Sequence, residues 1–205
     1  MKKILSIIFS SIFLMSTASA GGMIGLKAGM GTLDGERTKD AKFGTASASK
    51  DHEYGAIFAE VQIGDMISVG AEFIPLEATI DTKNSTNADS HANISDHKTI
   101  YVLLPIGDMF YAKAGYSHAD ASVVANYTTT TIVDAPSEID GPMVGVGAQF
   151  ESPIPFIDVV RLEATYTDYG TMSIRTTNTN GTADTDTKEG EATQTTFTIG
   201  LAKSF

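Results

Sequence analysis

Apolar and polar residues alternate with a period of two along most of the chain after residue 20. This alternation is typical of β-strands with one apolar and one polar face, because successive side chains of a strand point to opposite sides. The pattern predicts eight strands, over residues 23–34, 53–63, 67–80, 97–106, 109–125, 142–151, 157–171 and 194–205. We therefore expect an all-β protein.

The connections between these strands alternate strictly between long and short. The four long connections are polar and rich in Thr, Ser, Asn and Asp. The short ones are the Gly-Asp-Met turns at Gly64 and Gly107 and the Ser-Pro-Ile-Pro-Phe segment before Ile157. An antiparallel up-and-down transmembrane β-barrel has this asymmetry, with short periplasmic turns and long extracellular loops.

Three predicted strands follow an Asp and share one pattern. Aligned on Asp65, Asp108 and Asp158, they carry an apolar or aromatic residue at every second position. Each series is long enough to match the roughly 9–11 residues that a tilted strand needs to cross a bilayer. The aromatic residues that end the series predict an outer aromatic girdle: Phe73, Tyr116 and Tyr166. A soluble lipocalin-like barrel would alternate in the same way, with its apolar face inside.

The N-terminus has the features of an export signal. Lys2 and Lys3 precede an apolar run, which ends at the small residues Ala18-Ser19-Ala20. At about a dozen residues the run is shorter than the roughly 20 that a spanning helix needs. We expect residues 1–20 to be a cleaved signal peptide and residues 21–205 to form one barrel domain.

The last predicted strand carries apolar side chains on one face and resembles the assembly signal of outer-membrane barrels. Its members are Phe197, Ile199, Leu201 and Phe205. Lys203 departs from that signal, which more often has an apolar residue there, although a lysine at a membrane boundary can snorkel. Together with the export signal and the loop asymmetry, this strand makes the chain similar to the small eight-stranded outer-membrane β-barrels. That family includes the membrane domain of OmpA, OmpX and the opacity proteins.

The resemblance implies a location and a set of partners. The chain is expected to be integral to the outer membrane of a Gram-negative bacterium, in contact with membrane lipid and lipopolysaccharide. The barrel assembly machinery would insert it, and it would be a monomer. A net charge of −11 gives no reason to expect nucleic-acid binding, which needs clustered basic residues. No cofactor is expected.

The polar strand faces carry charged residues that would point into the lumen. They are Lys27, Glu60, Glu72, Lys113, Arg161 and Glu163. An eight-stranded barrel is just wide enough for its own side chains, and an unpaired buried charge costs several kcal/mol, so we expect these charges to pair. Two roles remain open for them. They form either a structural plug or a switchable gate like the one proposed for OmpA-type barrels.

The four histidines fall near the predicted outer rim, at His52, His91, His97 and His118. A metal site needs at least three convergent ligands, and the sequence indicates no convergence, so no metal is predicted. His118, Asp120 and Ser122 share one side of a strand and are the only candidates for catalysis. No nucleophile motif surrounds them, so we do not expect an enzyme.

The sequence thus favours a structural and surface-interaction role, through four long polar loops and a charge-plugged lumen. The alternative is a narrow gated channel of porin-like type. A lipid-modifying enzyme or a soluble lipocalin-like ligand binder is the third hypothesis.

Overall fold

The computed structural model describes residues 21–39, 46–64, 66–75, 78–84, 88–125, 130–178 and 187–205. These ranges contain ten strands: β1 (Gly22–Lys39), β2 (Ala46–Ile63), β3 (Ile67–Ile74), β4 (Ala78–Asn84), β5 (Ala88–Ile106), β6 (Phe110–Ala125), β7 (Thr130–Asp134), β8 (Glu138–Glu151), β9 (Val159–Asn178) and β10 (Thr187–Ser204). In the described ranges no helix has the length and apolar character to cross a membrane. The predicted signal peptide, residues 1–20, and Asp65 lie outside them.

The strands form one antiparallel sheet that closes on itself. Its order is β10-β1-β2-β3-β5-β6-β8-β9, and β10 also pairs with β9. The short strand β4 continues β3 along its neighbour β5. In the same way, β7 continues β8 along β9. With β4 counted as part of β3 and β7 as part of β8, the described strands form a closed barrel of eight strands, which confirms the predicted fold. Closure leaves no unpaired strand edge along the wall, as a membrane requires.

The apolar face of the sheet points outward. Leu26, Met30, Ile100 and Phe197 are more than 60% exposed, whereas the inward Phe58 is 1% exposed. A continuous surface of large exposed apolar side chains is unfavourable in water and suits lipid. This orientation is opposite to the one that a soluble lipocalin-like barrel requires. We call this surface the apolar belt.

The strands extend further outward than predicted. β1 reaches Lys39, β2 begins at Ala46 and β5 begins at Ala88, so most of the residues assigned to long loops belong to strands. The prediction was wrong here because it followed apolar alternation, which ends at the membrane boundary. The ladder of backbone hydrogen bonds continues in polar strands rich in Thr and Ser, since Thr favours the β conformation and such side chains pair across strands. We call these extensions the outer ribbons.

The short turns at the opposite end agree with the predicted periplasmic rim. Gly64 and Gly107 have φ angles of +63° and +71°. This left-handed conformation is accessible to glycine at no steric cost, which explains the repeated Gly in these turns. Pro75 falls just after the end of β3, above the apolar belt, and Pro105 is one residue from the end of β5.

Candidate functional site

The barrel lumen brings together the six charged residues predicted to point inward. They come from β1, β2, β3, β6 and β9 and are Lys27, Glu60, Glu72, Lys113, Arg161 and Glu163. Five of them are nearly fully buried, and the side chain of Glu72 is 10% exposed. Because three cations face three anions, the buried charge is balanced.

Four of these charges form a closed ring, which we call the four-centre. Lys27 Nζ lies 2.8 Å from both Glu72 Oε2 and Glu163 Oε1. Lys113 Nζ contacts the same two oxygens, at 3.2 and 2.7 Å. Each ammonium group thus donates to both carboxylates. Sharing of this kind compensates the loss of hydration that makes isolated buried charges so costly.

The remaining two charges form a pair nearer the periplasmic end. Arg161 Nη1 donates to Glu60 Oε1, and Arg161 Nη2 lies 3.3 Å from Gln149 Oε1. The Tyr101 hydroxyl donates to the same oxygen of Glu60 at 2.7 Å. A periplasmic cavity of about 220 Å³ opens onto this pair and is lined by Glu60, Gln149 and Arg161 among others.

Three aromatic rings support the cations. Lys113 Nζ lies 4.0 Å from the centre of the Tyr101 ring, and Lys27 Nζ lies 4.9 Å from that of Phe58. Arg161 lies over Phe58 and Tyr111, and the Tyr111 hydroxyl donates to Glu163 Oε2 at 2.9 Å. Cation–π contacts are strongest where water is excluded, so the rings add to the stability of the charged cluster. The sequence-based prediction of the lumen cluster rested on charge, which does not single out aromatic residues.

Each of these rings lies against a glycine on the neighbouring strand. The directly opposed pairs are Gly25 with Phe58, Gly70 with Tyr101 and Gly147 with Tyr111. A Cβ atom on any of the three glycines would overlap the ring. Aromatic residues opposite glycines were therefore a usable sequence signal for the lumen.

A second polar group closes the lumen above the four-centre. Gln194 Nε2 lies 2.8 Å from His52 Nε2, and the Tyr169 hydroxyl donates to Gln194 Oε1 at 2.8 Å. The same hydroxyl lies 3.4 Å from His97 Nε2. A cavity of only about 20 Å³ separates this group from the four-centre. We call these four residues the upper network.

The upper network lies beyond the apolar belt. The outward residues next to its two histidines are Glu53 and Lys98, which are charged and therefore mark the end of the belt on β2 and β5. Burial lowers the pKa of His97 to about 4, although the carboxylate of Glu72 acts in the opposite direction. Burial also lowers the pKa of His52 below its ordinary value. Both imidazoles are therefore neutral at pH 7.

An apolar cluster fills the lumen inside the outer ribbons. Ala119, Ile139, Tyr169 and Ala192 are buried there. Leu33, Ile94, Ala121 and Met172 pack against them. The described part of the lumen thus runs from an open periplasmic cavity through two polar networks to an apolar seal.

The predicted girdle and terminal strand lie on the outer surface. Tyr116 and Tyr166 are exposed and Phe73 is half-buried, all on the outward face. The four residues predicted as an assembly signal are also exposed: Phe197, Ile199, Leu201 and Phe205. Lys203, which departs from that signal, lies 2.8 Å from Asp158 Oδ1. This hydrogen bond holds the pKa of Asp158 below its usual value and joins β10 to the turn before β9.

The histidines do not form one group. His52 and His97 point into the lumen, whereas His118 points outward, so His97 and His118 lie on opposite faces of adjacent strands. The side chain of His91 lies outside the described residues. His118 lies near Asp120, as the sequence indicated, and Glu138 on the neighbouring strand adds a third side chain to this pair. Glu138 was missed because β8 begins four residues before the predicted strand.

The fold has known counterparts among solved structures. The outer-membrane protein OprG from Pseudomonas aeruginosa superposes with a TM-score of 0.61 at 14% identity, covering 91% of this chain and 96% of that one. The chain is an outer-membrane β-barrel by fold. The outer-membrane protein AlkL, solved in lipid bilayers, superposes with a TM-score of 0.56 at 10% identity, covering 91% of this barrel and 90% of AlkL. No protein-family model and no curated protein matches the sequence.

This fold and the apolar belt together support an integral position in the bacterial outer membrane. At such low sequence identity the similarity concerns the fold, so the role of this barrel has to be argued from its own residues.

Proposed function

We propose that the protein is a sealed outer-membrane barrel that stabilises the envelope and presents its outer ribbons to partners at the cell surface. The observation that carries this proposal is the double closure of the lumen, by charge-balanced polar networks and by an apolar cluster. The proposal assigns no catalytic activity to the barrel.

The four-centre is a strong block to ion flow. A water path past it requires one ammonium group to leave both of its carboxylate partners. Separating a buried ion pair in this way costs about 3–5 kcal/mol, since the charges left behind are neither hydrated nor paired. The apolar cluster above adds a second barrier, because its side chains offer an ion little hydration.

The outer ribbons carry the chemistry available to a surface partner. Acidic residues predominate among their exposed outward charges, and they include Asp34, Glu36, Asp51, Glu53 and Glu191. A surface whose charges are mostly negative attracts partners that carry positive charge, and salt screens this attraction. We therefore propose partners with a positively charged contact surface, and binding that weakens as salt is added.

The remaining contacts follow from the membrane position. We propose that lipid chains and lipopolysaccharide cover the apolar belt, and that the barrel assembly machinery recognises β10 through its exposed apolar face. The support for the second part is the row formed by Phe197, Ile199, Leu201 and Phe205.

Ion conductance in planar lipid bilayers tests the sealed lumen. We expect the purified barrel to add no conductance to the bare bilayer, and Lys203→Met, outside the lumen, to behave identically. Discrete conductance steps in the wild type that disappear in Arg161→Ala or Lys113→Ala would contradict the proposal.

A narrow gated channel is the second candidate function. The observation in its favour is that both lysines of the four-centre already contact both glutamates, so pairing can change without any new partner. A gate predicts wild-type conductance that depends on these charges, whereas a plug predicts none. Replacement of the ribbon carboxylates tests the surface role separately, because it should reduce partner binding and leave conductance unchanged.

A further inference from the structure

His118, Asp120 and Glu138 form a group that neither the lumen nor the apolar belt uses. One ligand atom from each side chain can be chosen so that all three lie within 4.8 Å of one another. His118 Nε2 and Asp120 Oδ1 are 3.7 Å apart. His118 and Asp120 are half-buried and Glu138 is exposed, so the group is open to the outside.

The backbone ladder holds these residues together. His118 and Asp120 are two positions apart on β6 and therefore point to the same side of the sheet. Glu138, on β8, is the direct cross-strand partner of Asp120. The positions of the ligands are thus set by paired strands and not by loop tips, as a preorganised site requires.

The charges of this group are not balanced by the residues themselves. Asp120 faces Glu138 directly, and two like charges in opposed positions destabilise a sheet. Asp140, which is opposite His118, adds a third carboxylate and accepts a hydrogen bond from Tyr116. Lys98, on β5, is the cross-strand neighbour on the other side of His118. A bound divalent cation would relieve the repulsion between Asp120 and Glu138.

We propose that His118, Asp120 and Glu138 bind a divalent transition-metal ion, with Zn²⁺ as the representative ion. The donor set of one imidazole nitrogen and two carboxylate oxygens suits Zn²⁺, whereas Ca²⁺ and Mg²⁺ prefer oxygen ligands alone. Tetrahedral coordination by three protein ligands leaves one position for water. The ion would cross-link β6 and β8 at the outer rim of the barrel.

Titration of the detergent-solubilised full-length barrel with Zn²⁺, followed by calorimetry, tests the site. We expect saturable binding of one ion, weakened at least about tenfold in each of His118→Ala, Asp120→Asn and Glu138→Gln, because metal affinity depends on every ligand. Co²⁺ at the same site should give visible absorption bands of a tetrahedral complex that Zn²⁺ abolishes.

Glu53→Gln is the matched control, since it removes one exposed outer-rim charge on the far side of the barrel. It should bind Zn²⁺ within about twofold of the wild type. Heat-dependent gel migration shows whether each variant has folded. If one ligand variant fails to fold, the other two still test the site. The proposal is wrong if wild-type binding is not saturable, if the ligand variants bind like Glu53→Gln, or if Ca²⁺ binds more tightly than Zn²⁺.

Discussion

At the scale of single residues, the lumen depends on matched pairs of groups. Each large ring has a glycine opposite it, and each cation has a carboxylate partner. A change at one member of a pair should therefore be more harmful than the same change elsewhere on the barrel. Substitutions at Gly147 and Lys113 test this dependence.

Gly147→Ala should destabilise the barrel by about 1–3 kcal/mol, because its Cβ would overlap the Tyr111 ring in a wall that cannot move apart. The measurement is the urea midpoint of unfolding in detergent micelles, followed by circular dichroism. Gly200→Ala is the control, since the nearest atom would lie 3.3 Å from its Cβ and belongs to the side chain of Lys27. Equal effects of the two substitutions would refute the ring-and-glycine interpretation.

Lys113→Met should cost about 3–5 kcal/mol, since it leaves Glu72 and Glu163 to share the single ammonium group of Lys27. The double variant Lys113→Met/Glu72→Gln restores the charge balance and should recover most of this loss. Lys203→Met, which removes an exposed ion pair, should change the free energy of unfolding by about 1 kcal/mol or less. A double variant no more stable than Lys113→Met would show that the two groups are not coupled.

His97 should make the barrel less stable in acid. Its pKa is about 4 in the folded barrel and near its ordinary value of 6.5 in the unfolded chain. The unfolded state therefore binds more protons between these values, and stability falls as pH decreases from about 6.5 to 4, by up to about 3 kcal/mol. The urea midpoints of the wild type and His97→Gln at pH 7.5 and pH 4.5 measure the effect. His97→Gln should lose less stability over this interval, and an equal loss in both proteins would exclude His97 as the cause.

At the scale of strands, the outer ribbons are the main departure from the sequence-based expectation. Register and face were predictable within the membrane, where alternating residues such as Val160, Leu162 and Ala164 show which side meets lipid. Beyond it, the outward face is largely polar and the inward face mixes apolar residues such as Leu33 and Ile139 with polar ones, so no clear alternation marks the strands. Their pairing is decided by neighbouring strands that are distant in sequence. A prediction from one stretch of sequence cannot contain that information.

Hydrogen exchange measures this extension of the strands. The backbone amides of residues 33–36 and 191–194, where β1 pairs with β10 beyond the apolar belt, should exchange at least about tenfold more slowly than in an unstructured chain. Peptides from 24–30, within the belt, provide the reference for full protection. Exchange in the ribbons at the rate of an unstructured chain would show that these segments behave as loops.

At the scale of the whole molecule, the two ends of the described lumen differ. The periplasmic cavity reaches Glu60 and Arg161, whereas the upper network and the apolar cluster occupy the outer end. The sequence predicted which charges line the lumen, because alternation fixes the inward positions. It did not predict which charge pairs with which, nor the contribution of His52, Tyr169 and Gln194, since those contacts join strands far apart in the chain.

Labelling of single cysteines tests this asymmetry cleanly, because the natural chain contains no cysteine. Ser68→Cys lines the periplasmic cavity and should react with a membrane-impermeant thiol reagent only when the periplasmic side is accessible. Thr167→Cys, buried above the four-centre, should react about tenfold more slowly than Ser68→Cys from either side. Ser122→Cys on the outer surface should react on intact cells. Rapid labelling of Thr167→Cys would favour the gated channel.

The outer ribbons derive their shape from backbone pairing and from a small inward apolar cluster, and their outward side chains take little part in either. Mutations at those outward positions can therefore accumulate with little penalty to folding or membrane insertion. A population of bacteria under pressure from antibodies or phages could change the chemical character of this surface repeatedly, while the architecture that carries it stays the same.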